Sequence, residues 1–298
     1  MYLTGFADEV GSDLARQIEV CRTLGWTHID LRSIDSYNIV DLPDATFNEL
    51  EGLLQANALA VNSFGSPIAN WSRRTTDPFS RDLEDLERAI PRMNRLGVRH
   101  IRVMSYRPAP ELSDLQNERV IVKRLSELAR RAEDAGVVLL HENCETWGGQ
   151  SVEHTERLLN AIDSPAFKLV FDTGNPPATI DRRDHVPAGT YQNGLEFFRR
   201  VRRSVASVHI KDARIEAGEV VYTGPGEGDG FVPEILRELR ADGYDGAVSI
   251  EPHLAVVYHD PTVTADDQER WNVFVEYARQ THELLVSAGF SIALNTAP

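Results

Sequence analysis

The chain has 298 residues, and 31 Lys and Arg against 46 Asp and Glu give a formal net charge of −15. This excess of negative charge would repel a phosphate backbone and an anionic membrane, so neither nucleic acid nor a membrane surface is an expected partner. The two cysteines, Cys21 and Cys144, form no CxxC pair, which argues against a disulfide framework and against a cysteine zinc site.

Short apolar runs, each followed by a longer amphipathic stretch, recur about every 35 residues along the chain. We interpret them as eight strands, which read LTGFAD, HIDLRSI, LAVNSFG, HIRVMSY, VVLLHEN, KLVFDTGN, SVHIKDA and AVSIEPH. The N-terminal segment carries acids where a signal peptide needs a basic and then an apolar stretch, and no run approaches membrane-spanning length. We therefore expect a soluble, cytoplasmic protein.

The segments between these strands have the periodicity of amphipathic helices. Apolar residues share one helix face at Leu14, Ile18, Cys21 and Leu24, at Leu83, Leu86, Ile90 and Met93, and at Leu125, Leu128 and Ala132. Several helices are followed by a glycine that can adopt the left-handed cap conformation just before the next strand, namely Gly25, Gly97, Gly136 and Gly243. The chain therefore alternates strictly between helix and strand.

Strict alternation predicts parallel strands with right-handed crossovers, and eight such units are the number that closes a barrel. We predict an α/β protein with one (β/α)8 TIM barrel domain that spans residues 1–298. An open doubly wound sheet is the rival, but GFADEVGSDL follows the first strand in place of a glycine-rich phosphate fingerprint.

Two loops are expected near the mouth of the barrel. The segment YTGPGEGDGF follows the seventh strand, and we interpret it as a tight, mobile loop and a candidate lid, because its glycines permit hinge motion. A phosphate cradle is the alternative interpretation. The long polar insertion NPPATIDRRDHVPAGT, residues 175–190, is predicted to cover the mouth as well.

Polar side chains follow four consecutive predicted strands at their carboxyl ends, where barrel enzymes build active sites. They are Glu142 in LLHENC, Asp172 in VFDTGN, His209 in VHIKDA and Glu251 in SIEPH. If all four point inward, three carboxylates meet and would repel one another unless a cation lies among them. Three oxygen donors with one imidazole suit Mn²⁺ or Mg²⁺, with Co²⁺ as a further candidate. The sequence therefore predicts a divalent-metal site.

Further polar residues follow the last two strands. His209 and Lys211 share one strand face, so Lys211 is a candidate contact for a substrate carboxylate, phosphate or oxyanion, with Asp212 as the electrostatic partner of both. His253 lies two residues beyond Glu251 and is a candidate substrate contact or orienting group. A salt bridge to a neighbouring acid is the alternative for Lys211, and a plain loop histidine is the alternative for His253.

Aromatic residues at strand ends are candidates for the apolar wall of a sugar pocket. Trp147 is one of them, with Phe6, Phe64 and Tyr106, and ordinary core packing is the alternative for all four. His141 has the opposite parity to the neighbouring glutamate, so we expect it to face the helix layer in a structural role.

The ordered motifs HENC, FDTGN, HIKD, GEGDG and IEPH resemble the xylose-isomerase-like barrel superfamily along nearly the whole chain. That superfamily includes sugar isomerases, sugar-phosphate isomerase/epimerases, inosose dehydratases and apurinic-site endonucleases. The resemblance implies a metal held by Glu142, Asp172, His209 and Glu251. It also implies that the two glutamates face opposite sides of the substrate carbon, where one removes the proton and the other returns it. Such a pair needs pKa values near neutrality.

The chain departs from the family at two positions. Asn175 stands where the family often has a histidine three residues after the strand-six aspartate, and Ile215 stands where epimerases commonly carry an arginine. Arg214 and Lys211 are candidates to replace that arginine. We therefore expect Asn175, Arg214 and Lys211 to contact substrate.

The function that follows is a metal-dependent isomerase or epimerase of a small keto sugar or sugar derivative, acting by proton transfer next to a carbonyl through an enediolate. The same site would also serve an inosose-type dehydratase, a β-eliminase or a 3-oxo sugar acid decarboxylase. An apurinic-site endonuclease conflicts with the acidic charge and with strands three and four, which end without histidine. A non-catalytic sugar-binding barrel is the remaining alternative, and the sequence leaves open whether the chain forms a homo-oligomer.

Overall fold

Eight parallel strands form the centre of the protein in a computed structural model that describes residues 1–257 and 263–294. The predicted domain range of 1–298 therefore includes residues 258–262 and 295–298, which lie outside the described residues. In chain order the strands are β1 Tyr2–Gly5, β2 His28–Leu31, β3 Ala60–Gly65, β4 His100–Val103, β5 Val138–Glu142, β6 Phe167–Asp172, β7 Val205–Ile210 and β8 Ala247–Ile250. Each coincides with one of the predicted apolar runs.

The strands form one sheet in the order β1-β8-β7-β6-β5-β4-β3-β2. Its two end strands, β1 and β2, approach each other through a parallel bridge between Phe6 and Asp30. The sheet is thus nearly closed on itself, and the predicted (β/α)8 TIM barrel is confirmed. Because neighbouring strands in the sheet are mostly consecutive in the chain, the carboxyl ends of β5 to β8 lie side by side at one rim.

Helices follow the strands around the outside of the barrel. Their bounds are α1 Leu14–Thr23, α2 Asp44–Ala56, α3 Ser80–Leu96, α4 Asp114–Asp134, α5 Val152–Ile162, α6 Gly194–Val201, α7 Val232–Ala241 and α8 Asp267–Ser287. Short helical turns at Ala7–Glu9, Trp147–Gly149, Asn175–Ala178 and Arg202–Ser204 lie between them. The four predicted cap glycines all have positive φ, at 66° for Gly25, 68° for Gly97, 71° for Gly136 and 75° for Gly243.

The core forms where the helices pack against the barrel. The predicted apolar faces are buried there, as shown by Leu14, Ile18 and Cys21 on α1 and by Leu125 and Leu128 on α4. Strands that are covered on both faces are apolar almost throughout, so a charged residue in such a strand needs a partner or a functional role. Among the described residues, no helix has the length and apolar character that crossing a membrane requires.

The glycine-rich loop after β7 is built around the carboxylate of Asp212. That carboxylate accepts hydrogen bonds from the backbone N–H groups of Ala213, Gly226, Gly228 and Gly230, at 2.8 to 3.1 Å. A Cβ atom at Gly228 would lie 2.5 Å from Oδ1 of Asp212, so the close approach requires glycine. Asp212 therefore anchors the loop, and within the described residues its carboxylate forms no ion pair with His209 or Lys211, so the predicted pairing is wrong. That the loop acts as a mobile lid stays a prediction.

Candidate metal centre

The carboxyl ends of β5 to β8 bring the four predicted ligands together. Glu142, Asp172, His209 and Glu251 each offer one oxygen or nitrogen atom, and these four atoms all lie within 4.8 Å of one another. All four residues are buried, with at most 3% of their surface exposed. Asp172 and His209 are register partners in the β6–β7 pair, which places their side chains next to each other. These side chains converge because residues alternate between the two faces of a strand, and the four ligands are on the inward face at the ends of adjacent strands.

Backbone amides orient the carboxylate of Asp172. Its Oδ1 accepts hydrogen bonds from the N–H groups of Gly174 at 2.8 Å and Asn175 at 2.9 Å. These bonds come from the turn that begins directly after β6, as an Asp-Thr-Gly-Asn sequence favours. The second oxygen, Oδ2, is left facing the cluster.

The side chain of Glu142 is held from two sides. Nδ2 of Asn175 donates to its Oε1 at 2.9 Å, and Nη1 of Arg102 on β4 lies 3.2 Å from its Oε2. The structure thus places Asn175 against a candidate ligand. The ring of Phe6 lies nearby, edge-on to His209, with 5.2 Å between the ring centroids.

Glu251 lies in a denser set of charges. Nη1 of Arg32 donates to its Oε1 at 2.5 Å, and Nε2 of His253 lies 3.3 Å from the same oxygen. Arg32 is itself held by both oxygens of Asp8 at 2.9 Å. His253 adopts φ 54°, and its backbone N–H donates to Glu9 at 3.2 Å, which fixes its position. Its side chain contacts Glu251, as expected for a group that orients this glutamate.

One atom of each candidate ligand makes no hydrogen bond to the described residues. These atoms are Oε2 of Glu142, Oδ2 of Asp172, Nδ1 of His209 and Oε2 of Glu251. Buried polar atoms are normally hydrogen-bonded, because leaving them unpaired costs about 1–3 kcal/mol each. Two of these oxygens lie in ion pairs, Oε2 of Glu142 with Arg102 at 3.2 Å and Oδ2 of Asp172 with Lys211 at 3.0 Å. A converging set of three carboxylates and one imidazole, each with an atom that makes no hydrogen bond in the described part of the chain, suits a divalent cation.

The neighbouring cations set the ionisation of these carboxyls. Burial raises the pKa of Glu142, but Arg102 and other positive neighbours outweigh it, so the pKa lies below its usual value. Burial likewise raises the pKa of Glu251, and Lys211, His253 and Arg32 bring it well below the usual range. Both glutamates are therefore ionised at neutral pH, which differs from the near-neutral pKa values that the sequence predicted for an acid–base pair.

Asp172 behaves differently from the two glutamates. Burial raises its pKa to about 6, and the nearby ammonium of Lys211 only partly opposes this effect. Burial also lowers the pKa of His253 to about 4, with Lys211 adding to the shift, so this imidazole is neutral at pH 7. Neutral His253 beside ionised Glu251 can accept or donate a hydrogen bond, depending on its tautomer.

Two predicted substrate contacts lie away from the cluster. Arg214 is on the hairpin strand Ala213–Glu216, where its guanidinium pairs with Glu216 at 2.5 Å and is half exposed. Trp147 is fully buried on the helix side, where its indole N–H donates to Asp114 at 2.7 Å. The structure therefore brings neither Arg214 nor Trp147 to the four candidate ligands.

The remaining sequence candidates are His141 and three aromatic residues, and among the described residues only one of them has a ring contact with a candidate ligand. His141 is buried 3.1 Å from the hydroxyl of Ser105. Its ring and Leu158 of α5 both lie within 3 Å of the position that a Cβ atom of Gly148 would take, so it faces the helix side as expected for a structural residue. Phe64 and Tyr106 are core residues, and the Tyr106 hydroxyl donates to Asp82 at 2.7 Å. Phe6 alone among the four aromatic candidates has a ring contact with a candidate ligand among the described residues.

The sequence analysis missed two arginines at the rim. Arg32 follows β2 and Arg102 lies within β4, and both are buried with 6% and 8% of their surface exposed. A signal was present, because a basic residue in or directly after an apolar buried strand is rare unless it has a partner.

Comparisons with known proteins agree with this architecture. The family model described as the xylose isomerase-like TIM barrel matches residues 18–274. An inosose dehydratase of Clostridium beijerinckii is 24% identical over 148 residues, which are 45% of this chain and 46% of the relative, so the match spans about half the length of that curated protein.

Two solved structures share the fold over nearly their whole length. The IolI protein with a bound zinc atom has a TM-score of 0.72 at 18% identity, covering 98% of this chain and 100% of that one. D-psicose 3-epimerase of Clostridium cellulolyticum H10, solved with D-tagatose, has a TM-score of 0.68 at 19% identity, covering 96% and 99%. At such identities the likeness concerns the fold, whereas the family match covers most of the sequence. This chain therefore belongs to the family of xylose isomerase-like TIM barrels.

Proposed function

We propose that this protein is a divalent-metal-dependent isomerase or epimerase that moves a proton next to the carbonyl of a small keto sugar or sugar derivative. Glu142, Asp172, His209 and Glu251 would hold the metal. The observation that supports this most strongly is the convergence of these four buried side chains, each of which offers a ligand atom within 4.8 Å of the other three. The sugar-processing names of related proteins support the substrate class.

The chain's own residues divide the work between them. A bound divalent cation would supply the Lewis acidity that stabilises negative charge on a substrate carbonyl oxygen. Glu142 and Glu251 are ionised at neutral pH, so each is ready to accept a proton from the carbon beside the carbonyl. Asn175 and Arg102 hold the two oxygens of Glu142, and Arg32 holds Oε1 of Glu251. Such fixed positions favour proton transfer to or from defined faces of the substrate.

The donor set guides the choice of metal. Three carboxylate oxygens with one imidazole suit Mn²⁺ or Mg²⁺, with Co²⁺ as a further candidate, better than the thiolate-rich sets of structural zinc. A related structure contains zinc, so Zn²⁺ belongs in any metal panel. We propose Mn²⁺ or Mg²⁺ as the working metal.

A dehydratase is the second candidate function. It is favoured by the match to an inosose dehydratase and would use the same metal and the same first proton abstraction. The two reactions differ in whether a hydroxyl group leaves from the carbon beside the enolate. Product analysis by NMR separates them, since dehydration releases water and isomerisation does not.

The decisive experiment is proton exchange in D₂O. The Mn²⁺-loaded protein is incubated with a panel of keto sugars and keto sugar acids, and loss of the proton beside the carbonyl is followed by NMR. We expect exchange with the wild type, and a fall of at least about 100-fold in Glu142→Gln and in Glu251→Gln. Glu145→Gln changes an exposed glutamate close to the site and is the matched control. Undiminished exchange in both site variants would refute the assignment.

A further inference from the structure

Arg102 is a buried guanidinium whose hydrogen-bonding capacity is largely unused. Its Nε makes no hydrogen bond to the described residues, and its Nη2 reaches the carbonyl oxygen of Ser66 only at 3.4 Å. Nη1 lies 3.2 Å from Oε2 of Glu142, which forms an ion pair without an aligned hydrogen bond. A guanidinium carries five N–H donors, so a buried one normally has several good acceptors.

Arg32, at the same rim, is a buried arginine whose guanidinium makes several good hydrogen bonds. Both oxygens of Asp8 accept from it at 2.9 Å in a bidentate pair, and Glu251 accepts a third hydrogen bond. Both guanidiniums lie over the ring of Phe6, at 4.5 Å for Arg32 and 5.5 Å for Arg102. Within residues 1–257 and 263–294, no carboxylate forms a comparable two-pronged pair with Arg102.

The donors of Arg102 also have a definite position. β4 is the neighbour of β5, so the guanidinium lies beside Glu142, on the side of the candidate metal centre away from β6. A substrate whose reacting carbon lies between Glu142 and Glu251 can then place a terminal group within reach of Arg102. The planar guanidinium fork matches a carboxylate in both charge and geometry.

We infer that Arg102 binds a carboxylate of the substrate, so that the protein acts on keto sugar acids in preference to neutral keto sugars. This inference rests on the proposed function, because it assigns the substrate class of the same site. A neutral hydroxyl would accept one hydrogen bond from the donors that Glu142 leaves unused, whereas a carboxylate can accept two from the planar fork.

A phosphate group fits the rim less well than a carboxylate. Phosphate sites in barrels commonly use backbone N–H groups of a glycine-rich loop, and the loop after β7 has such glycines. However, the N–H groups of Gly226, Gly228 and Gly230 donate to Asp212 and are not available to a ligand. One unsaturated guanidinium matches the charge of a carboxylate better than that of a phosphate dianion.

The test compares two non-reacting ligands of equal length, D-gluconate and D-glucitol, which differ by a carboxylate in place of a CH₂OH group. Their binding to the Mn²⁺-loaded protein is measured by calorimetry for the wild type, Arg102→Gln and Arg102→Lys. We expect the wild type to prefer gluconate, and the preference to fall by about 10- to 100-fold in Arg102→Gln, as for the loss of hydrogen bonds to a buried charge. Arg214→Gln is the control, since that arginine is half exposed and pairs with Glu216.

The variants separate this role from simpler ones. The metal itself can bind gluconate more tightly than glucitol, but this contribution is the same in Arg102→Gln. The evidence for the role of Arg102 is therefore the change in the ratio of the two affinities between the wild type and the variant. Arg102→Lys keeps the charge and loses the fork, so it should lose part of the preference, and it decides the matter if Arg102→Gln does not fold. An unchanged ratio of the two affinities in both variants, or equal binding of both ligands by the wild type, would overturn the inference.

Failure of the proposed function would look different. In that case no ketone would exchange its proton in D₂O, while the preference for gluconate and its dependence on Arg102 could persist. Conversely, exchange with neutral ketoses at the same rate as with keto sugar acids, unaffected by Arg102→Gln, would leave the isomerase standing and remove the carboxylate site.

Discussion

The ammonium nitrogen of Lys211 lies 3.0 Å from Oδ2 of Asp172, and 3.8 Å from Oε2 of Glu251. Both oxygens belong to the candidate metal centre, so this ammonium lies beside the place that a divalent cation would occupy. Burial lowers the pKa of Lys211, but Asp172 and Glu251 outweigh it, so its pKa is raised and the ammonium remains charged. Lys211 and a divalent cation therefore compete for the same carboxylates.

Replacing Lys211 with methionine should change two properties in opposite directions. We expect Mn²⁺ affinity, measured by calorimetry, to rise at least about tenfold, because a positive charge next to the site is removed. We expect the metal-free protein to lose about 3 kcal/mol of unfolding free energy, because a buried ion pair is broken from one side. Lys123→Met on the exposed face of α4 is the control. Weaker Mn²⁺ binding by Lys211→Met would contradict the competition.

Metal binding should stabilise the protein through Asp172. With Mn²⁺ at about 100 times its dissociation constant, the unfolding free energy should rise by about 2.7 kcal/mol, seen as a higher melting temperature. Asp172→Asn keeps an acceptor for the turn amides but removes the negative charge, so the Mn²⁺-dependent rise should largely disappear. Asp134→Asn, at an exposed position, should retain it. The same rise in both variants would show that the stabilising metal binds elsewhere.

The glycine-rich loop should depend on Asp212. Removing the carboxylate in Asp212→Ala leaves four backbone N–H groups without their acceptor, so we expect a loss of about 3 kcal/mol in unfolding free energy. Hydrogen exchange of Gly226, Gly228 and Gly230 should become faster in the variant. Asp229→Ala alters an exposed aspartate of the same loop and should leave both readouts unchanged. Protected loop amides in Asp212→Ala would refute the anchoring role.

His154 should make stability depend on pH. Burial lowers its pKa, Arg157 adds to the shift and Asp114 opposes it, so the folded state binds a proton only at lower pH than the unfolded chain does. The unfolded histidine takes up a proton below about pH 6.5, so the unfolding free energy falls as the pH drops through that value. In urea titrations from about pH 7.5 to about pH 5, His154→Gln should reduce this slope by up to about 1.4 kcal/mol per pH unit. Parallel profiles for the variant and the wild type would exclude the contribution.

Much of the architecture could be predicted from the sequence because it depends on local periodicity. Apolar runs and helical faces define eight units, and cap glycines such as Gly97 and Gly136 mark their boundaries. Glu142 and Asp172 end consecutive parallel strands and both face inward, so they are predicted to lie together even when long-range contacts are unknown. The convergence of the four candidate ligands follows from the same rule.

The tertiary structure decided the charge partners. Arg32 pairs with Glu251 across 219 positions of sequence, and Arg102 reaches Glu142 from the neighbouring strand. Long side chains choose their partners by what lies opposite them in the closed barrel, and no local pattern encodes that choice. Asp212 illustrates the same limit, since it turns away from adjacent Lys211 to accept hydrogen bonds from a loop that folds back on it. Periodicity fixes the direction in which a side chain leaves the backbone, whereas closure of the barrel fixes what it meets.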